Sequence, residues 1–130
     1  VYLPVESILF AGDTVVAGEP PAMGQADSRG WLEALNMLKA LRPQTLVPGI
    51  GLPCSLECLE HMTSYLQELR TRVAALYEAG ASRRECVEKV NLESFFETGP
   101  EQSSRTRRRL REAVERVYAE IRTEMRRRQE

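Results

Sequence analysis

The sequence predicts an α/β fold with a short sheet, several helices and a long C-terminal helix. Two apolar runs, Ile8–Ala11 and Thr45–Val47, are short enough for strands and end in Gly-containing turns. Two long stretches, from about Leu56 to Ala79 and from about Ser104 to the end, carry apolar residues at steps of three and four, the helical period. At 130 residues, 42% hydrophobic and 28% charged, the chain has the size and composition of one ordinary globular domain.

The elements follow in order. Val1–Pro4 is strand-like. Ile8-Leu9-Phe10-Ala11, bounded by Glu6-Ser7 and Gly12-Asp13, reads as a buried strand, which Thr14–Ala17 either continues or follows with a second. Gly18–Gly24 has the Gly and Pro density of an irregular loop. A helix starts at about Ser28, with Asp27 or Ser28 as its cap, carries Trp31, Leu35 and Leu38 on one stripe, and is stopped by Arg42-Pro43.

Thr45-Leu46-Val47 is the next buried strand, followed by the turn Pro48–Pro53. The long helix after it sets Leu59, Met62, Leu66, Leu69, Val73 and Leu76 in line, and Gly80 is placed to end it in the left-handed conformation. Ser82-Arg83-Arg84-Glu85 has the form of a capping box, opening a short helix to about Val90, with Leu92, Phe95 and Phe96 as its anchor to the core. Beyond the breaker Gly99-Pro100, the last helix lines up Leu110, Val114, Val117, Ile121 and Met125, with arginine and glutamate opposite. The expected division is residues 1–98 as one domain and 99–130 as an Arg-rich amphipathic helix. With so few strands, the sheet is hard to cover on both faces from this chain alone, so a second layer from a partner is expected.

Composition removes several classes. No apolar run approaches the ~20 residues of a membrane-spanning helix, so no membrane role is expected. The net charge of −1 hides a division: residues 101–130 carry ten arginines against six glutamates, while residues 1–100 carry eight basic and thirteen acidic residues. Such asymmetry can mark a nucleic-acid contact. Glu112, Glu115, Glu120 and Glu124 interleave with the arginines, however, and no aromatic sits among Arg105, Arg107, Arg108, Arg109 and Arg111 to stack on bases, which favours helix-stabilising ion pairs. Three cysteines, Cys54, Cys58 and Cys86, do not read as a secreted disulfide framework and favour a reducing compartment. Cys54, Cys58 and His61 would share a helix face, but three donors on one helix do not surround a zinc ion, so buried thiols and a surface His are expected. No Gly-rich phosphate loop and no Ser-His-Asp or Cys-His arrangement is present.

The two strand ends, Phe10-Ala11-Gly12-Asp13-Thr14 and Leu46-Val47-Pro48-Gly49-Ile50-Gly51, lie where α/β proteins collect ligands. In their order and spacing, with the Trp31 helix between them and the Tyr65-Leu66 helix after, the chain resembles the C-terminal half of a metallo-β-lactamase-fold hydrolase of the glyoxalase II-like or quinoprotein-associated type. The resemblance covers roughly the first eighty to ninety residues. It implies half of an αββα sandwich and a metal-dependent hydrolase ancestry. In that family a strand ending in Gly-Asp supplies a bridging aspartate and a later Pro-Gly-His-Gly supplies a histidine.

By this resemblance Asp13 is the one metal ligand carried over, while Ile50 stands where the histidine would be and offers no lone pair. The family's H-x-H-x-D-H signature has no counterpart here. The resemblance therefore implies a fragment or pseudoenzyme with an incomplete metal site and no catalytic residue. No cofactor is expected in this chain alone, and zinc, iron or manganese only if another chain completes the site. The expected partners are a second copy or a missing N-terminal half, since the chain starts at Val1 as if cut from a longer one. A cytoplasmic location is expected, or a periplasmic one if a signal segment was removed. The alternatives are a self-associating interaction module without catalysis and a nucleic-acid-binding protein acting through the Arg-rich helix.

Overall fold

The structure, a computed structural model, describes residues 1–97 and 99–130. Its sheet is mixed and three-stranded, in the order β1 (Tyr2–Leu3), β2 (Ile8–Val16), β3 (Thr45–Ile50). β1 pairs antiparallel with β2, and β2 pairs parallel with β3. Four α-helices follow the expected order: α1 (Ser28–Ala40), α2 (Glu57–Glu78), α3 (Arg83–Lys89) and α4 (Ser103–Arg128), with a single 3₁₀ turn at Glu93–Phe95. The α/β class and the long C-terminal helix are as predicted. The boundary expected at residue 98 falls on Thr98, outside the described residues.

Local signals set the helix ends. The Asp27 side chain accepts from Gly30 N at 3.2 Å and starts α1. Ser82 and Glu85 form both halves of the capping box before α3. Gly80, at φ +90°, follows the end of α2. α2 is the centre of the molecule, packed by β2, α1, α3 and α4. Its Leu59, Leu66, Leu69 and Val73 are wholly buried, each contributing about 1.5–3 kcal/mol relative to exposure.

Three expectations need correction. Gly12-Asp13 is not a turn that ends the strand: of the two readings open for Thr14–Ala17 the continuation holds, and β2 runs on to Val16, with register shifts between Phe10 and Gly12 and again before Val16. Extra residues on one strand of a pair bend it without ending it. Likewise β3 includes Pro48, Gly49 and Ile50, which were expected to be a turn. Nor are Cys54 and Cys58 buried thiols: their Cα atoms lie 6.3 Å apart and they form a disulfide, leaving Cys86 as the buried free thiol. The irregular loop at 18–24 is irregular, as expected, but it is also core, with Pro20, Pro21 and Met23 buried.

The sheet has two unlike faces. Tyr2, Leu9, Leu46 and Val15 join the core formed with α1 and α2. Register places Leu3, Ile8, Phe10 and Val47 on the opposite side, where none of them belongs to that core. Phe10 is 45% exposed and Leu3 37% exposed.

Tyr65 carries a local imperfection. It is wholly buried, edge-on to Phe95 and Phe96, and its hydroxyl has no hydrogen-bond partner among the described residues. Burial pushes its pKa well above the usual tyrosine range. An acid whose pKa is raised on folding contributes nothing unfavourable below the unfolded pKa, and costs stability once the unfolded chain ionises above about pH 10. Tyr65→Phe is expected to leave stability at pH 7 unchanged or raised by about 1 kcal/mol, since it removes an unsatisfied buried group. It is also expected to flatten the alkaline loss of stability, which urea titrations at pH 7 and above pH 10 measure.

Candidate functional site

Parallel pairing of β2 with β3 brings the two singled-out motifs side by side. Gly12 pairs with Pro48 and Val16 with Ile50, so Asp13 lies on the strand next to Gly49. The approach is close enough to require a glycine: a Cβ on Gly49 would lie 2.6 Å from the Gly12 carbonyl oxygen and 2.7 Å from Asp13 Oδ1. One residue further on, Ala17 N donates to Ile50 O at 2.9 Å and locks the two strand ends together. The side chain of Trp31 adds a brace from α1, its Nε1 donating to Thr14 O at 2.8 Å.

The chemistry available there is narrow. Asp13 is exposed. Ile50, 44% exposed, presents carbon only. A catalytic zinc takes about three protein ligands, and no group of three or more His, Cys, Asp or Glu side chains converges to hold a metal among the described residues. Among the described residues, the donors beside Asp13 fall short of that number. Nor does a lone carboxylate beside two glycines make an acid–base pair.

His61 is exposed, as expected, and its Nε2 lies 2.7 Å from Phe95 O, so that nitrogen carries the hydrogen. It does not join Cys54 and Cys58 as a ligand set, because the two sulfurs are bonded to each other.

A second polar cluster went unread in the sequence. Glu120 of α4 is buried and takes hydrogen bonds from Ser28 N at 3.2 and 3.3 Å and from the Ser28 hydroxyl. Arg70 of α2 reaches the same place, donating to Ser28 Oγ at 2.7 Å, to Glu120 at 3.1 Å and to Glu124 at 3.0 Å. Arg116 Nε lies 3.3 Å from Glu120 and donates to Ala26 O at 2.8 Å. A carboxylate thus sits at the positive end of α1, which favours it. Ser28 is wholly buried, so the cluster is a clamp joining α1, α2 and α4 rather than a reactive site.

The arginines of α4 are partly spent inside the molecule. Arg109 donates to Glu19 at 2.8 Å and to Pro20 O at 3.0 Å, holding the 18–24 loop, and Arg107 lies 3.5 Å from Glu93. The ion pairs expected within α4 reduce to one, Arg116 with Glu120, while Glu120 and Glu124 pair with Arg70 across the helix interface. No helix among the described residues is long and apolar enough to cross a membrane.

No protein-family model matches the chain, and no curated protein matches it.

Proposed function

We propose that this chain is the C-terminal half of a metallo-β-lactamase-fold hydrolase, or a pseudoenzyme descended from one, whose metal site is incomplete. The observation that carries the reading is the juxtaposition of Asp13 with the Pro48-Gly49-Ile50 segment across paired parallel strands. The family's two ligand motifs would need that neighbourhood, and here one position keeps a carboxylate while the other holds Ile50. The two-faced sheet supports the same reading. Helices cover one side, while Leu3, Ile8, Phe10 and Val47 leave the other apolar, as the inner face of half a sandwich would be.

That open face also supports the second reading, a self-associating interaction module without catalysis, in which a second copy or an N-terminal half covers it. The two readings are compatible. Nucleic-acid binding through α4 has less support, because Arg107, Arg109 and Arg116 are engaged with the protein's own acceptors.

The test is metal content and solution mass measured on one sample, by elemental analysis and light scattering. The expected result is an oligomer with substoichiometric zinc, iron and manganese, which Phe10→Asp, a charge placed on the open sheet face, converts towards monomer. Near-stoichiometric metal in this chain alone, abolished by Asp13→Ala, would overturn the incomplete-site reading. A monomer would count against self-association.

A further inference from the structure

We propose that the Cys54–Cys58 disulfide is a thiol–disulfide exchange site, attacked at the Cys58 sulfur by dithiols. This is independent of the hydrolase reading. Its first support is where the bond sits. Cys54 ends the segment leaving β3 and is fixed there by reciprocal backbone hydrogen bonds with Leu46, at 2.7 and 2.8 Å. Cys58 lies in the first turn of α2, held by the buried Leu59 beside it. The bond closes a loop of only three intervening residues, the kind that constrains the unfolded chain least. Both ends stay anchored without it, so the fold can survive its opening.

Access points the same way. Cys58 lines an open surface cleft of about 220 Å³, walled by Val16, Ala17, Gly18, Glu57 and His61, and Cys54 is not among its lining residues. At the start of α2 Ser55 Oγ accepts from Glu57 N at 3.4 Å, and Glu57 and Glu60 place negative charge in the first turn, so it is access to the Cys58 sulfur, and not the helix end, that sets the point of attack. Cys86 is the built-in contrast: it is wholly buried, and burial pushes its thiol pKa up.

The reaction is balanced by a dithiol reductant. One thiolate of the dithiol attacks Cys58 Sγ; the Cys54–Cys58 bond breaks and Cys54 leaves with the electron pair, then takes a proton from water. The second thiol of the reductant, as its thiolate, attacks the reductant's own sulfur in the mixed disulfide, expelling Cys58 as a thiolate that takes a proton from water. The reductant becomes a disulfide, and Cys54 and Cys58 become thiols.

The test equilibrates the full chain in mixtures of reduced and oxidised dithiothreitol, traps thiols with an alkylating agent and maps them by mass spectrometry, with circular dichroism following the fold. Cys54 and Cys58 are expected to gain label together and reversibly while the helical signal stays intact, and Cys86 to label only in denaturant. With a small aromatic disulfide as probe, Cys54→Ser is expected to react at Cys58 about tenfold faster than Cys58→Ser reacts at Cys54, because only Cys58 lines the open cleft. Reduction only in step with unfolding, a pair that stays reduced in oxidised dithiothreitol, or faster reaction at Cys54 would each overturn the proposal.

Discussion

Glu120→Ala is expected to lower folding stability by about 3–5 kcal/mol, the usual cost of removing one partner from a buried charge network. The loss is large because several groups are orphaned together. Ser28 N and its hydroxyl lose their acceptor, and Arg70 and Arg116 each lose a carboxylate contact. The first turn of α1 loses the negative charge at its positive end. Glu124→Ala, at a side chain 25% exposed, leaves Arg70 still paired with Glu120 and is expected to cost about 1 kcal/mol or less. The measurement is the urea midpoint of both variants at constant slope, so that stability and compactness are separated. Equal losses at the two positions would mean that Glu120 is not the keystone of the clamp. For a domain whose whole stability is typically 5–15 kcal/mol, a loss of this size populates the unfolded chain.

The helices were legible because their signals are local. Asp27 before α1, Ser82 with Glu85 before α3, and the three–four spacing of Leu59 to Leu76 each act within a turn or two of chain. What failed to show was everything decided by a distant partner. β2 runs past Gly12 because β3 pairs with it, and the sequence could only leave that continuation open beside a second strand, since no residue between 8 and 16 reports the partner. Pro20 and Pro21 look like loop punctuation, yet Arg109, about ninety residues on, holds their loop against the core. Glu120 reads in the sequence as one of four glutamates pairing with arginines along an amphipathic helix, which its contact with Arg116 bears out, but its burial against Ser28 and Arg70 does not show there. A signal was present nonetheless, since Ala113, Val117, Glu120 and Ile121 fall on one helical stripe and three of the four are apolar. A charge inside such a stripe implies a buried partner, and Arg70 within the apolar run of α2 is its counterpart. At the candidate site, Asp13 and Ile50 could be named from their motifs, but their adjacency follows from strand register alone.

Gly51→Ala is expected to cost about 3 kcal/mol, and a comparison of three glycines separates its causes. Gly80 has φ +90° with nothing within 4 Å of an added Cβ, so Gly80→Ala meets backbone strain only, about 1–2 kcal/mol. Gly49 has no such dihedral restriction, but its Cβ would press on the Gly12 carbonyl and Asp13 Oδ1 at 2.6 and 2.7 Å, so Gly49→Ala meets overpacking only, about 1–3 kcal/mol. Gly51 meets both, with φ +108° and an added Cβ 2.6 Å from Ala17 O and 2.9 Å from Ala17 Cβ. Relief is hard to find, because the residue pushed is backbone that Ala17 N already binds to Ile50 O. The displacement would separate Val16 from Ile50 and open the end of the β2–β3 ladder beside Asp13. The order expected in urea unfolding is therefore Gly51→Ala most destabilised, with Gly80→Ala and Gly49→Ala each milder. Amide exchange at Ala17 is expected to quicken in Gly51→Ala and to stay unchanged in Gly80→Ala. If Gly51→Ala were no worse than Gly80→Ala, the two strand ends would not be as closely joined as their hydrogen bond implies, and the proximity of Ile50 to Asp13 would lose its structural basis.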